Sequence, residues 1–190
     1  MFNRIVAFAL LLVVAGPVSA ENPHAGKMTA FYTQNLKAWA ASADFIKAIK
    51  DQNEAHKALS GADIDKLDLQ WRAEVKDKSG PLTSALAAKP ISILLEEKRK
   101  EAGGKITELI IMDAKGLNVG QAPLTSDYMQ GDEPKWQKTF QVGPNAIFVD
   151  ELDFDKSAKR FQAQLSATIV DPATGTPIGA ITVGFDVEKL

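Results

Sequence analysis

The chain has 190 residues, with 22 basic and 24 acidic side chains and a formal charge of −2, a size that suits one domain. So even a balance, without a block of Lys or Arg, sets nucleic acid aside as a partner. There is no Cys, which excludes disulfides, thiolate metal sites and thiol nucleophiles.

Residues 1 to 20 read as a secretory signal. Arg4 supplies positive charge, Ile5 to Ala15 form an apolar run, Gly16 and Pro17 break it, and Val18, Ser19 and Ala20 offer small residues before Glu21. Cleavage is expected after Ala20, and loss of Arg4 leaves a charge of −3. The apolar run is short for a bilayer core of roughly 30 Å. The expectation is a periplasmic, secreted protein whose single domain covers residues 21–190, mainly helical over 21–104 and mainly β over 105–190.

From Met28 to about Lys57, Met28, Tyr32, Leu36, Trp39, Ala43, Ile46 and Ile49 recur at steps of three and four, which predicts one long amphipathic helix. Such a stripe suits a helix that covers its own sheet, or the seam of a homodimer; the first is the better reading. After Ser60 and Gly61, a second helix is expected from Asp63, as its N-cap, to Lys76. Leu67, Trp71 and Val75 lie on one face, Asp68 and Arg72 are spaced for an ion pair, and Trp71 reads as core. Pro81 and Pro90 bracket a short turn-helix, and Ile91 to Glu101 forms a third helix closed by Gly103 and Gly104.

The second half changes period. Ile106 to Met112 and Leu117 to Gln121 read as paired strands around the turn Asp113 to Gly116. Ala146 to Asp155, Arg160 to Val170 and Ile178 to Val187 read as further strands, the last two joined by a turn over Asp171 to Pro177. Helices followed by a five-stranded antiparallel meander give an α+β fold. Along Arg160 to Val170, Gln162, Gln164, Ser166 and Thr168 share a polar face, expected to meet solvent, opposite Phe161, Ala163, Leu165, Ala167 and Ile169. Between the strands lies Asp127 to Lys138, a charged loop that also carries Tyr128 and Trp136.

The order of a long helix, the run Leu67 to Arg72, the hairpin Ile111 to Val119, the loop Ser126 to Trp136 and the closing strand Ile178 to Asp186 resembles a single Cache domain, the PAS-like (PDC-type) extracytoplasmic sensor fold, in its free-standing secreted form. That resemblance implies a pocket on one face of the sheet, roofed by the loop after the hairpin and by the helical segment before it. The implied ligand-binding residues are Tyr128, Asp132, Trp136, Lys138, Trp71 and Asp127. The aromatics would wall in a ligand while offering an O–H or N–H. Asp132 would accept from an ammonium or hydroxyl, and Lys135 or Lys138 would pair with a carboxylate. It also implies a small polar ligand, of the amino acid, amine or organic acid class, and a membrane receptor or sensor kinase as signalling partner.

The acidic run Asp150 to Asp155 lacks the Gly turn and later Glu of a calcium loop and alternates with Leu152 and Phe154 as a strand does, so no metal is expected. No nucleophile elbow, zinc-protease helix or phosphate loop is present. No cofactor and no catalysis are therefore expected. His56 reads as a helix C-terminal residue favoured by the dipole. The alternative to a sensor is a PAS-like scaffold that dimerises through the N-terminal helix without a small ligand.

Overall fold

Helical segments come first in the computed structural model, which describes residues 22–155 and 160–190, without the side chains of Asp155 and Arg160. The expected export signal and its expected cleavage site lie outside the described residues. The long first helix is broken. Helix α1 (Ala25–Phe31) passes through a π-helical turn at Tyr32–Leu36 into α2 (Lys37–Ala40), and α3 (Ala43–His56) starts again after Ser42, whose backbone is extended with ψ 152°. Ser favours this half-extended N-cap conformation over helix interior. The restart shifts the helical phase, so Phe45, Ile49 and Gln52 turn inward in place of Ala43 and Ile46.

Met28, Leu36, Phe45 and Ile49 join Leu109, Ile111, Leu165, Ile181 and Val183 in one buried cluster. The apolar stripe therefore covers its own sheet. Its buried residues are not available as a homodimer seam.

Helix α4 (Gly61–Lys76) is capped by Ser60 and not by Asp63. The Ser60 hydroxyl accepts from the Asp63 N–H, and the Asp63 carboxylate accepts from the Ser60 N–H in return, a capping box that starts the helix earlier than expected. The expected pair forms, with Arg72 Nε donating to Asp68 Oδ2 at 2.6 Å. Helices α5 (Pro81–Ala87) and α6 (Pro90–Glu101) each open on proline, whose missing N–H costs nothing at a first helical position.

The strands are β1 (Ile106–Asp113), β2 (Asn118–Ala122), β3 (Ile147–Val149), β4 (Asp153–Asp155), β5 (Arg160–Val170) and β6 (Pro177–Asp186), with the one-turn helix α7 (Pro134–Gln137) between β2 and β3. The α+β expectation holds. The meander does not: the order is β2-β1-β6-β5-β3, with β4 also on β5. The final strand inserts between β1 and β5, pairing Ile110 with Thr182 and Leu165 with Val183. The segment expected as one strand from Ala146 to Asp155 divides into β3 and β4.

Alternation then sorts the sheet into two faces. Leu109, Ile111, Ile181, Val183, Leu165 and Ala167 meet the helices, while Ile110, Met112 and Ala180 look the other way and pack with Trp136 and Phe140. On this second face Ser166 and Thr168 are buried, contrary to the solvated reading, because the α7 segment packs against β5. Ser166 Oγ and Thr182 Oγ1 satisfy each other at 2.9 Å. The turn between β1 and β2 depends on Gly116, with φ +80°, where a Cβ would run into the Gly131 backbone.

Candidate functional site

The six residues implied as ligand contacts do not converge on one cavity. Trp71 and Tyr128 are buried against each other, ring centroids 5.3 Å apart and 24° between planes, in a cluster with Leu86 and Leu117. Trp71 Nε1 donates to the Thr125 carbonyl at 3.0 Å. Burial raises the Tyr128 phenol well above its ordinary pKa, with the nearby Asp113 charge acting in the same direction. Asp127 lies beside them, bound by Gln130 Nε2 at 2.8 Å and by Arg72 Nη2 at 3.4 Å. Asp68 holds the start of the loop by accepting from the Tyr128 and Met129 N–H groups.

Trp136 belongs to the other sheet face, where it stacks on Phe140 at 5.0 Å and donates through Nε1 to the Asp113 carbonyl at 3.1 Å. Asp132 and Lys138 are exposed, with Lys138 Nζ 4.2 Å from the centre of the Phe148 ring. The loop's aromatic rings thus pack against the protein's own side chains.

An open site lies on the helical side. A groove of about 630 Å³ runs between α3 and the start of α6, with Val119 of β2 among its lining residues. Ala48, Ala55, Pro90, Ile91 and Leu94 provide apolar walls, and Asp44, Lys47 and Asp51 carry charge along its α3 side. Lys47 and Asp51 pair with each other.

A polar network borders this groove. Gln52, His56 and Lys89 line it; Gln52 and His56 reach Asp113, whose side chain is wholly buried at the hairpin turn, and Lys89 joins them through Gln52. Asp113 Oδ2 accepts from Gln52 Nε2 at 3.0 Å and is 2.8 Å from His56 Nδ1. Its Oδ1 accepts from the N–H groups of Lys115 at 2.8 Å and Leu117 at 2.9 Å, closing the turn. Lys89 Nζ donates to Gln52 Oε1 at 2.7 Å and to the Val119 carbonyl at 3.3 Å. Burial lowers the pKa of Lys89, and the Asp113 charge partly opposes that shift.

A carboxylate can only accept, so Asp113 fixes the proton of neutral His56 on Nδ1 and leaves Nε2 with a lone pair. The lining residues include no hydroxyl or thiol. The arrangement suits recognition by oriented donors and acceptors above an apolar wall.

The sequence reading missed these residues because the contacts among Gln52, His56, Lys89, Val119 and Asp113 join positions 30 to 61 apart. A signal was present all the same. Gln52 and His56 are four apart on one helical face, and Asp113 opens an Asp-x-x-Gly turn, a position where the carboxylate closes onto its own backbone and keeps an oxygen for a neighbour.

No protein-family model matches the chain, and no curated protein matches it. Among solved structures it is similar to the ligand-binding domain of the Pseudomonas aeruginosa amino acid chemoreceptor PctC in complex with GABA, at 14% identity and TM-score 0.42, covering 63% of this chain and 56% of that one. It is similar to the sensory domain of the Campylobacter jejuni chemoreceptor Tlp3, at 18% identity and TM-score 0.41, over 84% of this chain and 64% of that one. A third is the sensor domain of the V. cholerae histidine kinase DctB, at 7% identity and TM-score 0.39, over 87% and 58%. The chain spans less than two thirds of the length of each.

Proposed function

We propose that this protein is a periplasmic, non-enzymatic sensor module of the Cache type, which binds a small polar molecule in the α3–α6 groove and passes occupancy to a separate membrane receptor or sensor kinase. The observation that carries this reading is the groove itself. Its volume of about 630 Å³ falls in the range of small-molecule sites, and it combines apolar walls with a few convergent polar groups, as such sites do. The resemblance of the helix-then-sheet order to Cache domains supports the sensor class. Among the described residues no helix is long and apolar enough to cross a membrane.

In this reading Trp71, Asp127, Tyr128, Asp132, Trp136 and Lys138 serve the scaffold and do not hold the ligand. Trp136 is still coupled to the groove, because it binds the backbone of the same Asp113 whose side chain anchors His56 and Gln52. A shift of Asp113 on ligand binding would thus reach the loop on the far face.

A thermal-shift panel of amino acids, amines, organic acids, nucleobases and sugars tests the reading. A ligand at about 100 times its Kd adds roughly 2.7 kcal/mol, which raises Tm by about 5 to 10 °C for a chain of this size. A flat panel contradicts it.

A further inference from the structure

We propose that the outer rim of the sheet, where Ile147, Leu152, Phe154 and Phe161 are exposed beside Asp150 and Asp153, docks a protein partner that presents a basic segment carrying apolar side chains. The proposal takes from the sensor reading only the separate signalling partner and does not depend on what the groove binds.

Eight large apolar side chains are exposed among the described residues, and four of them gather on this rim: Ile147 at 44%, Leu152 at 37%, Phe154 at 43% and Phe161 at 44%. Singly scattered apolar residues are ordinary on a surface, whereas a contiguous group marks an interaction site. Strand pairing makes the group contiguous. Phe154 stands opposite Phe161 and Ile147 opposite Ala167, which puts all three on the face of the sheet that the helices cover elsewhere. Val149, opposite Leu165, lies between them and packs partly on the core. From Phe161 to Ala167 the strip runs about 20 Å along β5. Helices α3 and α6 lie over β1, β2 and β6, so the apolar face continues past its cover here.

The rim is ordered before any partner arrives. Phe154 and Phe161 meet edge to face, with ring centroids 5.0 Å apart. Between β3 and β4, the Asp150 N–H donates to the Gln164 carbonyl at 2.8 Å, and the Asp150 carbonyl accepts from Asn22 Nδ2 at 2.8 Å. A surface held this way loses little conformational freedom on binding.

Its charge selects the partner. Asp150 Oδ1 accepts from the Glu151 N–H and Asp153 Oδ1 from the Phe154 N–H, and neither carboxylate has an ion pair among the described residues. Cationic side chains on a partner complement them. A second copy of this chain fits less well, because around a twofold axis the acidic rim would face itself, and like charges disfavour that pairing. The four exposed side chains present on the order of 300 Å², well short of the roughly 800 Å² per partner of a stable interface. An area of this size suits a transient contact.

Calorimetric titration with three eight-residue peptides, each alternating Leu with Lys, Glu or Ser, tests the proposal. The Lys peptide should bind, with the Glu and Ser peptides at least about tenfold weaker. Phe154→Ser and Phe161→Ser should each weaken Lys-peptide binding at least about tenfold, as loss of an interface anchor does. Asp150→Asn combined with Asp153→Asn keeps both local backbone bonds through the amide oxygens. It should weaken binding about three- to tenfold and flatten its dependence on salt. Tm measured for each variant confirms folding, and the Asp substitutions decide the matter if a Phe variant does not fold. Equal binding of the three peptides, or Lys-peptide binding that survives both Phe substitutions in folded protein, overturns the proposal. So does sedimentation that shows a dimer dissolved by Phe161→Ser, or flotation with phosphatidylcholine or phosphatidylglycerol vesicles that Phe154→Ser abolishes, since the rim would then meet a second copy or a membrane. None of these results bears on the groove, which the small-molecule thermal-shift panel reads separately.

Discussion

Replacing Asp113 tests whether the network beside the groove orders the fold locally. In Asp113→Ala the His56 Nδ1, Lys115 N and Leu117 N donors lose their acceptor at a wholly buried side chain, while Gln52 Nε2 loses one of its acceptors and keeps the Asn118 carbonyl. A buried group left without its partner costs about 1 to 3 kcal/mol. Some donors will recover water or a new partner through the groove, so the expected loss is about 3 to 5 kcal/mol, near the range for breaking a buried charged pair. At about 2 to 4 °C per kcal/mol, Tm should drop by roughly 6 to 20 °C.

Asp113→Asn separates the two halves of that cost. Its carbonyl can replace Oδ1 and keep both turn bonds, while its NH₂ faces Gln52 Nε2 and turns His56 to the other tautomer. The Asn variant should lose only about 1 to 2 kcal/mol. Urea unfolding of both variants, compared at equal m-value, measures the difference. An Ala variant within 1 kcal/mol of wild type, or Asn and Ala equal in cost, refutes the division of labour between the two carboxylate oxygens.

Gly116→Ala should destabilise by more than about 2 kcal/mol in the same assay, since φ is +80° and the new Cβ would meet Gly131 backbone. Trp71→Ala should cost about 3 to 5 kcal/mol, as truncation of a fully buried aromatic does, and Trp71→Phe much less; a near-neutral Trp71→Ala would show that the Tyr128 stack is not core. Tyr128 gives a pH signature. Its folded pKa is raised, so its contribution is complete below the unfolded value near 10 and is lost as pH climbs towards the folded one. Unfolding free energy should fall by about 1.4 kcal/mol per pH unit above about pH 10, and Tyr128→Phe should remove that slope. Tyr32, also raised by burial, adds its own slope, which the same substitution leaves in place.

Features set by neighbouring residues were legible before the structure. The short helix bracketed by Pro81 and Pro90, the Asp113 to Gly116 turn and the Asp68–Arg72 pair all depend on spacings of a few residues, and all stand as expected. The break at Ser42 was hidden because apolar residues continue at helical steps on both sides, and only the phase shift from Ile46 to Phe45 reveals it. Insertion of β6 between β1 and β5 has no local signature, since any of these strands can pair with any other. Tyr128 and Trp136 were read as ligand contacts because Asp127, Asp132 and Lys138 flank them. Their neighbours in space are instead Trp71, Leu117, Met112 and Ala180. The groove escaped notice for the same reason, since its polar group joins α3, the α6 N-terminus and a hairpin turn.

The position of the ligand is decided by calorimetry on two variants with whichever compound the thermal-shift panel identifies. Ala55 is exposed and lines the groove, so Ala55→Trp fills the site at little cost to the core, whereas Trp136→Phe alters the loop's anchor on the opposite face. Loss of binding in Ala55→Trp with affinity kept within a few-fold in Trp136→Phe is the predicted result. Undiminished binding in Ala55→Trp together with loss in Trp136→Phe would place the ligand under the loop and contradict the assignment of the groove.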